Sequence, residues 1–408
     1  MLAASITPAI HVCAYLPLMG ERARLSAAAE RLHREAPLVD IHVHPSLKAW
    51  LFGRSLWRHI HSGATLDPFS SRSDFVVLER GGVGVICAAH HAPEARLLDD
   101  CGLLRFAASA ASLVAPNVGR IGRTAPYDIL LEMMDELERQ VARHPDRAEI
   151  ARSARDIARI RGSGRIAVVH AVEGAGALAG AVDPGAALAR LDALAGRGVA
   201  ILTLAHFYPN GLASHVVGIP DEFSIRRVCD FDFGAGTGGP LTDRGRELVG
   251  RMVERGVIVD LTHCTPAARA AVLAEVDGRR PVVASHVGVR ALNPVDYNLS
   301  DEEIRAIART GGGVGIIFMT RWLDADAPGA GLPSIARTID HIREVTGSDD
   351  HVMIGSDFDG FTEPPDDLAD ASWMGSLTDH LLGRGMSEEA LRKLLGGNAL
   401  RILEAGWR

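Results

Sequence analysis

Short apolar runs alternate with amphipathic stretches along most of the chain. Eight runs are apolar enough to be strands buried on both faces, and they lie at 37–44, 82–88, 166–173, 199–206, 257–263, 281–286, 313–318 and 351–357. Helix start signals separate most of them, such as Ser300 and the three acidic residues before IRAIART. Because strands that alternate with helices form parallel sheets, eight repeats predict a closed α/β fold, the (β/α)8 or TIM barrel of the metal-dependent hydrolase type.

Three stretches are longer than a minimal barrel needs, and they cover about 45–80, 102–162 and 207–240. The stretch 102–162 has a helical pattern, and 207–240 contains the glycine-rich GAGTGG. They follow the first, second and fourth predicted strands, so we expect them at the rim where the strands end, covering a substrate. No linker separates a second domain, which predicts a single barrel domain over 1–408 with these insertions.

Charge and cysteine content narrow the function classes. The chain carries 43 Lys and Arg against 51 Asp and Glu, a formal net charge of −8, and no basic run that would track nucleic-acid phosphates. Its 5 cysteines are scattered without a C-x-x-C motif, which argues against a disulfide framework or thiolate metal site and favours a reducing cytoplasm. The first residues lack the basic region of a signal peptide, and no 18-residue apolar run follows. We therefore expect a cytoplasmic protein without a membrane span.

Metal-binding residue types recur where the predicted strands end. His42 and His44 lie two apart on the first strand, so their side chains share one face. Glu173 ends the third strand with two oxygens that can bridge two cations, and His263 and His286 end the fifth and sixth. Each residue alone also fits an ordinary structural role. Because parallel strands of a barrel end at one rim, the set together predicts a binuclear metal site.

The chemistry of this set favours zinc. It contains imidazole and carboxylate without thiolate, so we expect two Zn²⁺ ions per subunit, although Mn, Co or Fe would tolerate the same ligands. Two further rim residues have predicted catalytic roles. Asp357, at the end of the eighth strand, would take a proton from the attacking water and pass it to the leaving amine. His206, at the end of the fourth, would contact the substrate and stabilise charge on the scissile carbonyl oxygen.

Several stretches resemble the membrane (renal) dipeptidase family of zinc peptidases. They run in the family's order from residue 38 to 403 and are LVDIHVHPS, VEGAGAL, LTLAHFYPNGLA, GVIVDLTHCT, PVVASHVGVRALN, HVMIGSDFDG and LLGGNALRIL. The resemblance implies a barrel with a binuclear zinc site that hydrolyses the amide bond of a dipeptide or a similar small peptide-like substrate. It implies that His42, Glu173, His263 and His286 bind metal with Glu173 bridging. His206 would contact the substrate, and Asp357 would be the catalytic acid/base.

Two positions depart from the family pattern. His44 stands where the family typically has aspartate, which makes the site more positive and should weaken the hold on one ion. Tyr297 stands where the family usually has an arginine that binds the free carboxylate of a dipeptide, and one hydroxyl cannot replace a guanidinium. Arg290 is a second candidate for substrate binding. The substrate therefore stays open.

Other functions also remain open at this point. The stretch 174–179 matches G-x-G-x-x-A, but the helix starts too late for a dinucleotide site and the next strand ends in His206 instead of an acidic residue. A stronger alternative is a related amidohydrolase that acts on another amide, lactam or ester. A degenerate barrel that serves as a binding or maturation protein is a further one. A homodimer is one candidate assembly. We interpret His90, His91, His170 and His215 as structural or loop residues.

Overall fold

The computed structural model describes residues 25–60, 70–112, 115, 117–179, 185–217, 229–234, 240–324 and 331–408. The strands are β1 Val39–Val43, β2 Val85–His90, β3 Ala148–Ala151, β4 Ile166–Glu173, β5 Val199–Thr203, β6 Ile258–Asp260, β7 Val282–Val287, β8 Gly313–Ile316 and β9 Val352–Ile354. The helices are α1 Ala27–Glu35, α2 Pro45–Phe52, α3 Phe75–Arg80, α4 Ala95–Asp99, α5 Gly102–Ala111, α6 Pro126–Ala142, α7 Ala154–Gly162, α8 Ala186–Gly196, α9 Asp243–Arg255, α10 Pro266–Val276, α11 Asp301–Arg309, α12 Thr320–Leu323, α13 Leu332–Thr346, α14 Met374–Gly383, α15 Glu388–Arg392 and α16 Asn398–Gly406.

Eight of these strands close into a parallel barrel. β1 pairs with β2, β2 pairs with β4, and the neighbours then follow chain order to β9, which pairs back onto β1. The predicted (β/α)8 fold is confirmed. Alternate strand residues fill the interior with apolar side chains such as Ile41, Cys87, Val169 and Met353. The side chains between them face the surrounding helices.

β3 is a strand that the sequence pattern did not predict. It lies within 102–162, which we expected to be helical, and pairs with the first half of β4 from Ala148 opposite Ile166 to Ala151 opposite Val169. β5 takes over the same edge of β4 from His170 onwards. The run AEIA has only four residues and contains a glutamate, so it lacks the continuous apolar signal of a buried strand.

The insertions differ in where they pack. α6, within 102–162, contacts α2, β2 and β3 and buries Ile129, Leu130 and Met133, so this part belongs to the outer helix layer. Residues 61–69, 218–228 and 235–239 of the other two insertions lie outside the described residues. In the part of the chain that the structure describes, none of the helices has the length and apolar character that a membrane crossing requires.

One disulfide corrects the expectation drawn from the cysteines. Cys101, just before α5, is bonded to Cys229 in the stretch after β5, across 128 residues of sequence. Cys87 and Cys264 are buried free thiols, and Cys13 lies outside the described residues. Cysteine spacing did not reveal this pair because the fold, not the sequence distance, brings the two rim segments together.

Replacing both bridged cysteines, Cys101→Ser with Cys229→Ser, should lower the free energy of unfolding by about 2–4 kcal/mol, because the bridge restricts the unfolded chain. Urea denaturation of the two proteins measures this difference. Dithiothreitol should reduce the stability of the parent protein to that of the variant and leave the variant unchanged. If dithiothreitol does not affect the parent and all five cysteines titrate as thiols after unfolding, the bridge does not form.

Candidate metal centre

The five predicted metal ligands lie around one buried carboxylate. Oε1 of Glu173 is 3.2 Å from Nε2 of both His263 and His286 and 3.4 Å from Nε2 of His42. Oε2 of Glu173 is 3.4 Å from Nε2 of His44. The Nε2 atoms of His42 and His44 are 3.1 Å apart. The Nε2 atoms of His263 and His286 are 3.2 Å apart. The structure therefore brings all five together at the C-terminal rim.

These spacings fit ligands around metal ions. Ligand atoms about 2.0–2.1 Å from a tetrahedral zinc are roughly 3.3 Å from one another. Three of the four sets with ligand atoms within 4.8 Å of each other come from the predicted residues, and they are His42 with His44 and Glu173, Glu173 with His263 and His286, and His42 with His286 and Asp357. Burial lowers the pKa of His42, but the hydrogen bond and charge of Glu173 and the charge of Asp357 outweigh it and raise that pKa. The carboxylates thus favour positive charge here, which a cation supplies.

Ser285 fixes the proton positions on two of these histidines. Its hydroxyl donates to Oδ2 of Asp260 at 2.5 Å, and its oxygen lies 2.8 Å from Nδ1 of His286 and 3.1 Å from Nδ1 of His42. Since the hydroxyl proton is used, the oxygen accepts from both Nδ1–H groups. In the neutral form of each ring, Nε2 is then unprotonated and faces Glu173, which is the form that binds a metal. Burial and the charge of His42 lower the pKa of His286 to about 4, which keeps its ring neutral.

Asp260 is held in turn by several donors. It accepts from the hydroxyls of Thr203 and Thr262 and from the backbone amides of Thr262 and Ser285. Burial raises its pKa, but the charges of His286 and His42 outweigh burial and lower it. The sequence analysis missed Ser285 and Asp260. The available signal was an aspartate at the end of an apolar run and a serine directly before His286.

Asp357 lies on the β1 side of the cluster. Its Oδ1 is 3.1 Å from Nε2 of His44, and its backbone amide donates to the carbonyl of His42 at 2.9 Å. Burial raises its pKa, but the hydrogen bond of His44 and nearby imidazole charges outweigh this and lower it. Asp357 and His263 have φ of 60° and 66°, the left-handed region that costs non-glycine residues about 1–2 kcal/mol. Such strain is typical of functional sites.

His206 lies beside the cluster within a second group that the sequence did not predict. Its Nε2 is 3.7 Å from Oε2 of Glu173, and its Nδ1 is 2.9 Å from Oε2 of Glu94. Burial lowers the pKa of His206 well below the usual range. His91, which we interpreted as a loop residue, places Nδ1 3.2 Å from the backbone carbonyl of Glu173. His91, Glu173 and His206 also form a set with ligand atoms within 4.8 Å.

Two of the three residues predicted to bind substrate, Tyr297 and Arg290, are engaged elsewhere. Tyr297 is buried, and its hydroxyl donates to the backbone carbonyl of His286 at 2.8 Å. Its ring packs against Trp322, with ring centroids 3.9 Å apart. Arg290 pairs with Asp296 at 3.2 Å. The structure therefore gives Tyr297 the task of supporting the His286 backbone, and substrate binding by either residue remains a prediction.

Other histidines form a separate hydrogen-bonded chain that connects barrel strands to the surrounding helices. The hydroxyl of Ser46 lies 2.9 Å from Nδ1 of His90, Nε2 of His90 lies 2.8 Å from Nδ1 of His170, and Nε2 of His170 lies 3.2 Å from Glu138 on α6. Nε2 of His215 bonds the carbonyl of Phe233 at 3.0 Å. These contacts connect strands, helices and loops.

A closed parallel barrel with a buried His and Glu cluster at its C-terminal rim has the architecture of a metal-dependent hydrolase. The chain belongs to the membrane dipeptidase family, peptidase family M19, whose family model matches residues 26–406. It is 32% identical over 290 residues to an uncharacterized protein in the pqqA 5′ region of Klebsiella pneumoniae, covering 69% of this chain and 98% of that protein. It is 32% identical over 291 residues to the dipeptidase ataJ of Aspergillus terreus, covering 67% of this chain and 66% of ataJ.

Solved structures share the fold at low sequence identity. The dipeptidase AC, described as a family M19 metallo peptidase, has a TM-score of 0.71 at 22% identity, covering 91% of this chain and 99% of that chain. A metallo peptidase from Rhodobacter sphaeroides, liganded with a phosphinate mimic of the dipeptide L-Ala-D-Ala, gives a TM-score of 0.71 at 22% identity, covering 91% and 99%.

Ser285→Ala should weaken metal binding about 10- to 100-fold, because the Nδ1–H groups of His42 and His286 lose their acceptor. Competition with a chromophoric chelator measures the affinity. Ser387→Ala is the matched control, since it removes a serine hydrogen bond at the start of α15, far in the chain from the metal ligands. Equal affinities of Ser285→Ala and the parent protein would contradict the role of Ser285.

Gly360→Ala should displace the Asp357 carboxylate, because a Cβ at Gly360 would lie 2.1 Å from its Oδ1. We expect the rate of hydrolysis to fall at least about 10-fold while the fold is retained. This loss is smaller than the roughly 100-fold or greater contribution that a general acid or base usually makes, because the carboxylate is displaced and not removed. Steady-state kinetics and circular dichroism measure the two effects. Gly250→Ala is the control, since a Cβ there meets nothing within 4 Å. Undiminished activity of Gly360→Ala would argue against a catalytic Asp357.

Proposed function

We propose that the chain is a zinc-dependent hydrolase with two ions per subunit that cleaves the amide bond of a dipeptide or a similar small peptide-like substrate. The observation that carries this proposal is the position of Glu173 between two sets of histidines, with one oxygen near His44 and the other near His263 and His286. Membership of the membrane dipeptidase family supports it. So does the dipeptide mimic in the Rhodobacter sphaeroides relative.

Metal binding and proton transfer are carried out by different residues of the chain. Two bound divalent cations would supply Lewis acidity and lower the pKa of a water molecule toward ~7. Glu173 and the four histidines hold the ions, and Ser285 keeps two of those histidines in the binding tautomer. Asp357 takes the proton of the attacking water and delivers it to the leaving amine. Its lowered pKa keeps it ionised and ready to accept that proton.

The substrate's own charge is the less defined part of the proposal. Tyr297 donates its hydroxyl to the protein backbone, and Arg290 already pairs with Asp296. Neither contact favours recognition of a free carboxylate. This observation favours a second candidate function, hydrolysis of another amide, a lactam or an ester that lacks a carboxylate at that end.

The donor set, which contains imidazole and carboxylate but no thiolate, favours zinc.

The cytoplasmic location was predicted partly from the cysteines. The bridge between Cys101 and Cys229 weakens that part of the prediction, because disulfides persist mainly in oxidising compartments. A homodimer stays a prediction.

Metal reloading combined with a substrate panel tests the function. The purified protein is stripped with a chelator, reloaded with zinc, manganese or cobalt, and assayed on L,L- and L,D-dipeptides, N-acyl amino acids, a lactam and an ester. We expect two zinc ions per chain and hydrolysis that is lost on chelation and restored by zinc. Asp357→Asn should bind zinc normally and lose at least about 100-fold in kcat.

The other outcomes separate the alternatives. Hydrolysis of the lactam or ester alone would favour the second candidate. Stoichiometric zinc without any hydrolysis would favour a binding or maturation protein. Protein that takes up no metal at all would contradict the metal centre itself.

A further inference from the structure

The turn that follows β9, residues 357–362, holds three non-glycine residues in the left-handed region of the backbone. Asp357, Asp359 and Phe361 have φ of 60°, 67° and 61°. This region is uncommon for any residue except glycine, and a bulky residue such as phenylalanine is an outlier there. A backbone of this kind persists only where its surroundings hold it in place.

The carboxylate of Asp359 holds the turn in this shape. Asp359 is buried, and it accepts from Nζ of Lys48 at 2.9 Å and from the backbone amide and the hydroxyl of Ser73 at 2.8 and 2.7 Å. The hydroxyl of Thr362 donates to the backbone carbonyl of Asp357 at 2.9 Å. These bonds tie the turn to α2 and to the stretch before α3, so the turn is a fixed part of the rim.

The side chain of Phe361 stays open to solvent on this fixed turn. The residue is 49% exposed, and Nζ of Lys48 lies 5.4 Å from the centroid of its ring. Lys48 therefore supports the ring through a cation–π contact while it also pairs with Asp359. Burial of the ring does not account for the strained backbone of Phe361. A ring held open in this way is available to contact a ligand.

Gly360 links this ring to the predicted acid/base. A methyl group built on Gly360 would meet Oδ1 of Asp357 and lie 3.0 Å from Cδ2 of His44. Since consecutive Cα atoms are about 3.8 Å apart, Phe361 is one residue from the backbone that contacts the catalytic carboxylate. A nitrogen that receives a proton from Asp357 must come within hydrogen-bond distance of it. Groups carried by that nitrogen therefore pass close to the turn.

We propose that Phe361 is a specificity-determining residue whose ring contacts an apolar group on the amine side of the substrate. The inference rests on the proposed function, in which Asp357 delivers a proton to the leaving amine. It narrows the substrate class to amides whose amine carries an apolar or aromatic substituent, such as a dipeptide with a hydrophobic second residue. Contact with that group would remove apolar surface of both partners from water, which favours binding.

Kinetics with two matched dipeptides test the inference. L-Ala-L-Phe and L-Ala-Gly share the acyl group and differ only on the amine side, and L-Ala-D-Phe is assayed beside them. The zinc-loaded parent should hydrolyse a phenylalanine dipeptide with a kcat/KM at least about 10-fold higher than that of L-Ala-Gly, a usual value for a small apolar contact. Phe361→Ala should remove this preference by raising KM about 10-fold with little change in kcat, and should leave L-Ala-Gly unchanged. Phe361→Tyr keeps the ring and should keep the preference.

Two further variants separate recognition from a structural role. Phe106→Ala is the matched control, since it removes an exposed phenylalanine ring from α5, and it should affect none of the dipeptides. Phe361→Gly should lose the preference as Phe361→Ala does, with a Tm within about 2 °C of the parent, because glycine adopts the left-handed region readily. If Phe361→Ala and Phe361→Gly lower kcat equally for all dipeptides, Phe361 only holds the turn and the inference is wrong.

Binding measurements distinguish this inference from the proposed function. Phosphinate analogues of the dipeptides are not hydrolysed, and calorimetry with the zinc-loaded protein measures their Kd. The parent should bind the analogue with phenylalanine on the amine side about 10-fold more tightly than the glycine analogue, and Phe361→Ala should bind both equally. If this result comes from a protein that hydrolyses no dipeptide, the proposed function fails and the contact of Phe361 stands. A parent protein that binds both analogues equally, or neither, would overturn the contact even if the dipeptides are hydrolysed.

Discussion

The rest of the site depends on one buried carboxylate surrounded by imidazole nitrogens. Burial raises the pKa of Glu173, but the surrounding imidazoles, those of His206 and His44 foremost, outweigh it and lower that pKa well below the usual range. Glu173 is therefore ionised in a buried position, where an uncompensated charge costs several kcal/mol. The parallel barrel makes this arrangement possible, because it brings the C-terminal ends of β1, β4 and β7 to one rim.

Two buried aspartates near the site show how neighbouring charges and hydrogen-bond donors together decide the state of a carboxylate. Asp260 accepts from hydroxyls and amides through both oxygens, and its pKa is lowered. Asp40 accepts backbone bonds from His42 and Ser356 through Oδ1, while Oδ2 has no partner among the described residues. Burial accordingly raises the pKa of Asp40 to about 6. The strongly bonded aspartate is the one that orients the metal-binding histidines through Ser285.

The sequence predicted the barrel strands and the convergence of the five candidate ligands because both depend on local pattern and on one topological rule. Apolar runs mark buried strands, and the residues that end them meet at one rim whatever the details of packing. Glu94, Ser285 and the bond between Cys101 and Cys229 do not follow from such a rule. Their partners depend on how the loops fold over the rim. The sequence also did not predict that the hydroxyl of Tyr297 donates to the backbone carbonyl of His286. β3 was not predicted because its run AEIA is only four residues long and contains a glutamate, so its local pattern does not indicate a buried strand.

The two departures from the family pattern and the contact of Glu94 together change the charge distribution of the pocket. His44 removes a negative charge beside Glu173, where a carboxylate would bind an ion directly. Glu94 places a carboxylate beyond His206, where it bonds Nδ1 of that ring. A negative charge that binds a metal controls its affinity, whereas one that binds an imidazole controls which nitrogen is protonated. Tyr297 likewise lacks the charge of an arginine, and its hydroxyl donates to the backbone carbonyl of His286.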